Sequence, residues 1–180
     1  MSYKTVTSVC FVVDASIARA AGSLESTHPT GTRCRQFLRT LRGVCHRMAW
    51  NAAIKAEWDK HQSAFASTWR VSMFNLGKLR TIPDEQSEAF RDAIHAHSTD
   101  EGVVAVMLKD AHLVEAAFAA DGRVAALDDT VRGHFARLAG TFEDLRAILW
   151  ANPAAEGDEC IGWLEGGAEH VAARCLSAAT

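Results

Sequence analysis

The clearest pattern in the sequence is an unbroken apolar run at residues 9–13 that leads directly into Asp14. A run without alternation, rich in β-branched and aromatic residues, is typical of a strand covered on both faces, as in parallel sheets. Asp14 would then follow the carboxyl end of a strand, at the edge where open α/β sheets bind ligands. The same aspartate could instead cap the helix that follows. The pattern therefore predicts a buried strand and leaves two roles open for Asp14.

Helical and strand patterns alternate along the rest of the chain. Residues 103–108 alone resemble a buried strand, but the capping pattern at 98–101 favours a helix. Residues 25–32 have the composition of a loop. Two helices are predicted over whole ranges, from residue 33 to Gly43 and from Ala64 to Leu76, and four more are predicted to begin after Asn51, near Pro83, at Ser98 and at Thr130. Further strands are predicted at 45–50, 123–127 and 146–150. This alternation predicts a three-layer α/β/α sandwich around a mainly parallel sheet.

Composition indicates one domain in a reducing compartment. The chain has 180 residues, of which 48% are hydrophobic, enough for a single well-packed core. The five cysteines are scattered and form no CxxC pair, so neither a zinc site nor a disulfide framework is predicted. The start MSYKTVTS lacks the features of a signal peptide, and no apolar run is long enough to span a membrane. We therefore expect a cytoplasmic protein with no membrane partner.

Acidic residues fall where predicted strands and helices meet. Asp14 and the pair Asp128 and Asp129 each end a predicted strand, Asp110 opens the helical run DAHLVEAA, and Glu57 borders the buried face of the helix after Asn51. Carboxylates that lie close together raise one another's pKa, which a divalent cation would counter. Oxygen ligands favour Mg²⁺ or Mn²⁺, and two such ions can support phosphodiester hydrolysis. The sequence therefore predicts a metal-binding acid cluster.

A basic stripe is a candidate surface for nucleic acid. Arg35, Arg39, Arg42 and His46 follow one another at spacings of four, three and four, which places them on one face of a predicted helix. Such a stripe could track phosphates, or it could be an ordinary solvated face. Nothing in it reads base sequence.

The stretches VVDAS, KDAHLVEAA and ALDDTVRGHF, with their order and spacing, resemble the PIN domain family. Members of this family are metal-dependent nucleases, most often endoribonucleases, and many are toxins of bacterial toxin–antitoxin pairs. The resemblance implies that Asp14, Glu57, Asp110 and Asp128 are the catalytic acids. It also implies that Ser16 is the small polar residue that the family often has two places after the first acid, here a candidate contact to nucleic acid.

The resemblance covers about residues 8 to 150, so we expect a PIN-like domain at 1–150 and an extension at 151–180 packed on it. One departure concerns Ala126, because many relatives carry a hydroxyl or amide residue at this position, two places before the fourth acid. We expect Asp128 to be the ligand and Asp129 either a helix cap or an outer-shell group. The departure makes Asp129 a candidate substitute or additional metal ligand beside Asp14, Asp110 and Asp128.

The expected function is hydrolysis of single-stranded RNA by a Mg²⁺- or Mn²⁺-dependent endoribonuclease. An antitoxin-like protein and a second copy of the chain are candidate protein partners. A catalytically silent PIN-like interaction module is an alternative, since Ala126 and the extension depart from the family pattern. A phosphohydrolase of the haloacid dehalogenase type is a weaker alternative, because that class needs a second acid two residues after the first, where this chain has Ser16.

Overall fold

A computed structural model of the chain describes residues 7–179, with no description of the side chain at position 179. Its helices and strands alternate along the chain, with short 3-10 helices near the carboxyl end. The strands are β1 Cys10–Val13, β2 Arg47–Trp50, β3 Leu79–Thr81, β4 Arg123–Ala125 and β5 Leu149–Ala151. The helices are α1 Ala15–Ala20, α2 Pro29–Gly43, α3 Ala52–His61, α4 Ala64–Asn75, α5 Glu88–His97, α6 Glu101–Phe118, α7 Asp129–Leu138 and α8 Cys160–Glu165.

Within residues 7–179 the strands form one five-stranded sheet in the order β3-β2-β1-β4-β5, and all neighbouring strands are parallel. From β1 the chain moves outward to β2 and β3, then returns to the other side of β1 to form β4 and β5. The strand order therefore reverses between β1 and β4. In doubly wound α/β proteins such a switch point opens a crevice at the carboxyl ends of the two strands, where ligands bind.

The helices form two layers on either side of this sheet. Helix α2 packs against α1, α4 and α8, whereas α5, α6 and α7 pack against one another, and α6 also contacts β1 and β4. This division follows from the handedness of parallel crossovers, since outward and returning connections lie on opposite faces of a sheet. The prediction of a three-layer α/β/α sandwich is confirmed, and the sheet is parallel throughout its described strands.

Several element boundaries differ from the sequence prediction. Helix α2 begins at Pro29, inside the predicted loop, because proline suits the first turn of a helix. Helix α5 begins at Glu88, capped by Ser87, and Pro83 lies in the preceding coil. The apolar run at 103–108 is helical, as predicted, but Asp100 caps α6 in place of Ser98.

The segment after β5 packs on both helical layers. Helix α8 contacts α2, and the 3-10 helix Leu176–Ala179 contacts α7. An isolated antiparallel bridge joins Leu149 to Cys175 beside the outer edge of β5. The extension therefore shares its core with the sheet and helices that precede it.

Across residues 7–179, none of the helices combines the length and the apolar character needed to span a membrane.

Candidate active site

A cleft of about 440 Å³ lies at the carboxyl ends of β1 and β4, at the switch point of the sheet. Its walls are strongly acidic. Five carboxylates from four parts of the chain line it: Asp14, Glu57, Asp110, Asp128 and Asp129. The structure thus brings into one cleft all the acids that the sequence singled out, although they are up to 115 positions apart, from 14 to 129.

Asp14 and Asp128 each cap a helix at the edge of the cleft. One carboxylate oxygen of Asp14 accepts a hydrogen bond from the Ser16 backbone N–H at 3.1 Å, and one oxygen of Asp128 accepts from the Val131 N–H at 2.9 Å. Asp14 therefore caps α1 and also lines the cleft. The prediction that Asp129 is the cap is wrong: the extended backbone of Asp128 places its side chain over the first turn of α7.

Glu57 is positioned by its neighbour Trp58. The Trp58 ring is fully buried, and its indole N–H donates to the backbone carbonyl of Val13 at 2.8 Å, one residue before Asp14. This bond fixes α3 against the end of β1. Glu57 consequently reaches the cleft, where His61 lies one turn further along and approaches its carboxylate at 3.5 Å.

Asp110 reaches the cleft from the interior of α6, so the expectation that it opens a helical run is wrong. Burial raises the pKa of Asp110, and the nearby carboxylate of Asp14 raises it further. Lys109 and His112 oppose this shift, and Asp128 adds to it. The pKa of Asp110 thus responds to the same carboxylates that a bound cation would neutralise.

Asp129 is held by Asn152, a residue that the sequence interpretation missed. Asn152 directly follows β5 and is only 4% exposed. Its side-chain amide donates to the Asp129 carboxylate at 2.8 Å and to the Leu127 carbonyl at 3.2 Å. A polar residue two places after the strand predicted at 146–150 was the available signal, weaker than that of Asp14, which directly follows its predicted strand. Asn152 therefore joins the end of β5 to the acidic cleft.

Ser16 links the first acid to the loop after β4. Its hydroxyl accepts a hydrogen bond from the backbone N–H of Leu127 at 3.3 Å, and both residues line the cleft. Ala126, beside this contact, is buried with 1% of its surface exposed, so its methyl group lies in the core.

The basic stripe is not a continuous exposed surface. Arg35 is 5% exposed and its guanidinium donates to the backbone carbonyls of Ala21 and Ser26 and to the Thr32 hydroxyl. The prediction that Arg35 presents its charge to phosphates is therefore contradicted, because the chain after α1 covers this part of α2.

His46 is also wrongly placed in the stripe. It lies beyond the end of α2 and is fully buried, with one ring nitrogen 2.9 Å from the Leu164 carbonyl and the other accepting from the Val9 N–H. Burial lowers its pKa. Arg39 and Arg42 remain exposed, but they line a separate pocket of about 310 Å³ beside α4, away from the residues of the acidic cleft.

The cleft partly suits the expected metal. Carboxylate oxygens are the donors that Mg²⁺ and Mn²⁺ prefer. Within residues 7–179, however, no group of three or more Asp, Glu, His or Cys side chains is arranged to hold a metal ion. Mg²⁺ is commonly held by one or two carboxylates and keeps several waters. The donor set therefore fits a hydrated ion with one or two direct protein ligands, and it does not form a closed protein cage.

Comparison with protein-family models, with curated proteins and with solved structures finds no match for this chain.

Proposed function

We propose that this chain is a metal-dependent nuclease of the PIN type that hydrolyses phosphodiester bonds in single-stranded RNA. The observation that carries the proposal is the meeting of Asp14, Glu57, Asp110 and Asp128 in one cleft at the switch point of a parallel sheet. These acids come from the elements after β1, β2, β3 and β4, and catalytic groups of α/β proteins gather at this edge.

The chain would contribute a fixed array of carboxylates. The capping hydrogen bonds hold Asp14 and Asp128, the indole contact of Trp58 holds the helix of Glu57, and Asn152 holds Asp129. A bound Mg²⁺ or Mn²⁺ would supply an activated water and would neutralise charge on the reacting phosphate. Asp14 and Asp128 each engage one oxygen in capping, which leaves the other oxygen for the cleft.

The test is cleavage of a panel of unstructured RNAs by purified wild type and the Asp14→Asn variant, with Mg²⁺, with Mn²⁺ and with a chelator. Wild type should cleave only with metal, and Asp14→Asn should lose cleavage. Asp84→Asn is the matched control, since Asp84 is exposed and does not line the cleft. Equal cleavage by wild type and Asp14→Asn would indicate a contaminating ribonuclease and would remove the support for the proposal.

A silent interaction module is the second candidate function. It is favoured by the lack of a three-ligand group within the described residues and by the apolar Ala126 beside the fourth acid. Its partner would be an antitoxin-like protein or a second copy of the chain. Absence of cleavage by wild type under either metal, in protein that is folded and binds RNA or protein, would favour this candidate over the nuclease. A phosphohydrolase is less favoured, since Ser16 stands two places after Asp14.

A further inference from the structure

The acidic cleft is also lined by two cationic side chains, neither of which was connected with nucleic acid on the basis of the sequence. Arg19 lies in the last turn of α1, and Lys109 immediately precedes Asp110 on α6. Both are exposed, and both belong to the lining of the cleft. The acids are therefore accompanied by positive charge within the same cavity.

Neither cation is committed to an ion pair within the described part of the chain. Among the ion pairs of residues 7–179, none joins either cation to an acid of the cleft, although Lys109 lowers the pKa of Asp110. By contrast, the cations Lys55 and Arg70 both pair with Asp59. The charged groups of Arg19 and Lys109 are consequently available to an anion that enters the cleft.

The two cations come from opposite helical layers. Helix α1 packs with α2 and α4, whereas α6 packs with α5 and α7. Arg19 follows Asp14, the acid that caps α1, by five residues, about 7.5 Å along the helix axis. An anionic chain that contacts both cations must therefore cross the carboxyl edge of the sheet, where the acids lie.

A polyanion needs such contacts to approach this cleft. Five carboxylates repel phosphate, and in physiological salt only charges within about 8 Å act strongly on one another. Cations in the cleft itself can offset that repulsion. Arg39 and Arg42 line a different pocket, so they do not supply this local charge to the lining of the cleft.

We propose that Arg19 and Lys109 bind phosphate groups of the substrate on the two sides of the acids, so that a single strand crosses the sheet edge from one helical layer to the other. The inference rests on the proposed nuclease function, and it replaces the stripe on α2 as the path of the strand. Arg19 and Lys109 would position the strand without taking part in bond cleavage.

The test measures binding of a fluorescent single-stranded RNA by anisotropy, without metal and over a range of salt concentrations, together with cleavage in Mn²⁺. Arg19→Gln and Lys109→Gln should each weaken binding by about three- to tenfold at low salt. Each should also reduce the slope of log affinity against log salt by about 0.7, the value for one phosphate contact to a single strand. Lys109→Arg should retain binding.

Two control variants separate this path from other surfaces. The double variant Arg39→Gln/Arg42→Gln removes the exposed part of the stripe, and Lys60→Gln removes an exposed cation outside both pockets. Both should leave the salt slope unchanged. A reduced slope in Arg39→Gln/Arg42→Gln, with normal slopes in Arg19→Gln and Lys109→Gln, would overturn the inference.

The outcomes also distinguish this inference from the nuclease proposal. If wild type cleaves RNA but Arg19→Gln and Lys109→Gln bind and cleave normally, the nuclease proposal stands and the path is wrong. If both variants weaken binding but wild type never cleaves, the path is supported and the catalytic proposal fails. If wild type neither binds nor cleaves RNA, both proposals fail. Thermal melting of each variant checks folding, which substitution of two exposed side chains should preserve.

Discussion

Replacement of Arg35 should destabilise the fold, although its spacing on α2 suggested a solvent-exposed cation. The guanidinium donates to the Ala21 carbonyl at 2.7 Å, to the Ser26 carbonyl and to the Thr32 hydroxyl at 3.1 Å. These partners lie in the chain between α1 and α2 and in the first turn of α2. Arg35 therefore ties the connection after α1 to the helix that follows.

The expected size follows from these hydrogen bonds. A hydrogen bond to a charged group contributes about 1.5–3 kcal/mol, and a buried carbonyl left without a donor costs about 1–3 kcal/mol. Since water can reach part of the vacated space, we expect Arg35→Gln to lower the free energy of unfolding by about 3 kcal/mol. For a chain of this length that corresponds to a melting temperature lower by about 6–12 °C.

Thermal and denaturant melts of Arg35→Gln, Arg35→Lys and Arg39→Gln test this reasoning. Arg35→Lys keeps the charge but cannot donate along several fixed directions, so it should lose most of the same stability. Arg39→Gln removes an exposed guanidinium that lies 5.3 Å from the centre of the Phe65 ring and should cost about 1 kcal/mol or less. A decrease below about 2 °C for Arg35→Gln would refute the structural role of Arg35.

Two further predictions concern the cleft. The folded-state pKa of Asp110 is raised, mainly by burial and then by Asp14, so wild type loses stability as pH rises from 3.8 through that pKa. In metal-free melts, Asp110→Asn should therefore be more stable than wild type above this pH window and equally stable below it. An equal gain in Asp84→Asn would contradict this cause. Asn152→Ala frees the Asp129 carboxylate, so a Mn²⁺ titration of RNA cleavage should need more metal for half-maximal activity; an unchanged midpoint would exclude a positioning role.

The sequence predicted where the acids would meet because strand ends are marked by local patterns. Residues 9–13 and 124–127 are apolar runs that stop at aspartates, and parallel strands place their carboxyl ends at one edge. The short strand β3 was missed, since its half-buried residues Leu79 and Arg80 carry neither an apolar run nor alternation. Its strand conformation depends on pairing with β2, which is a tertiary effect.

The exposure of individual side chains could not be predicted from helical spacing. Arg35, Arg39 and Arg42 do share one face of α2, but only the first lies under the connection between Ala21 and Ser26. Helical periodicity specifies a face and not what covers it. The contact of Asn152 with Asp129 could not be predicted either, because local sequence patterns do not show which segments 23 positions apart come together.

The double role of Asp14 and Asp128 determines how the site can be probed. Each uses one carboxylate oxygen to cap a helix, and loss of a cap costs about 0.5–2 kcal/mol. Alanine at either position would therefore combine a folding defect with the loss of a charged group. Asparagine is as good a cap as aspartate but carries no charge. If Asp14→Asn or Asp128→Asn loses cleavage at an unchanged melting temperature, the negative charge of the carboxylate is needed for cleavage, whereas the capping hydrogen bond serves stability.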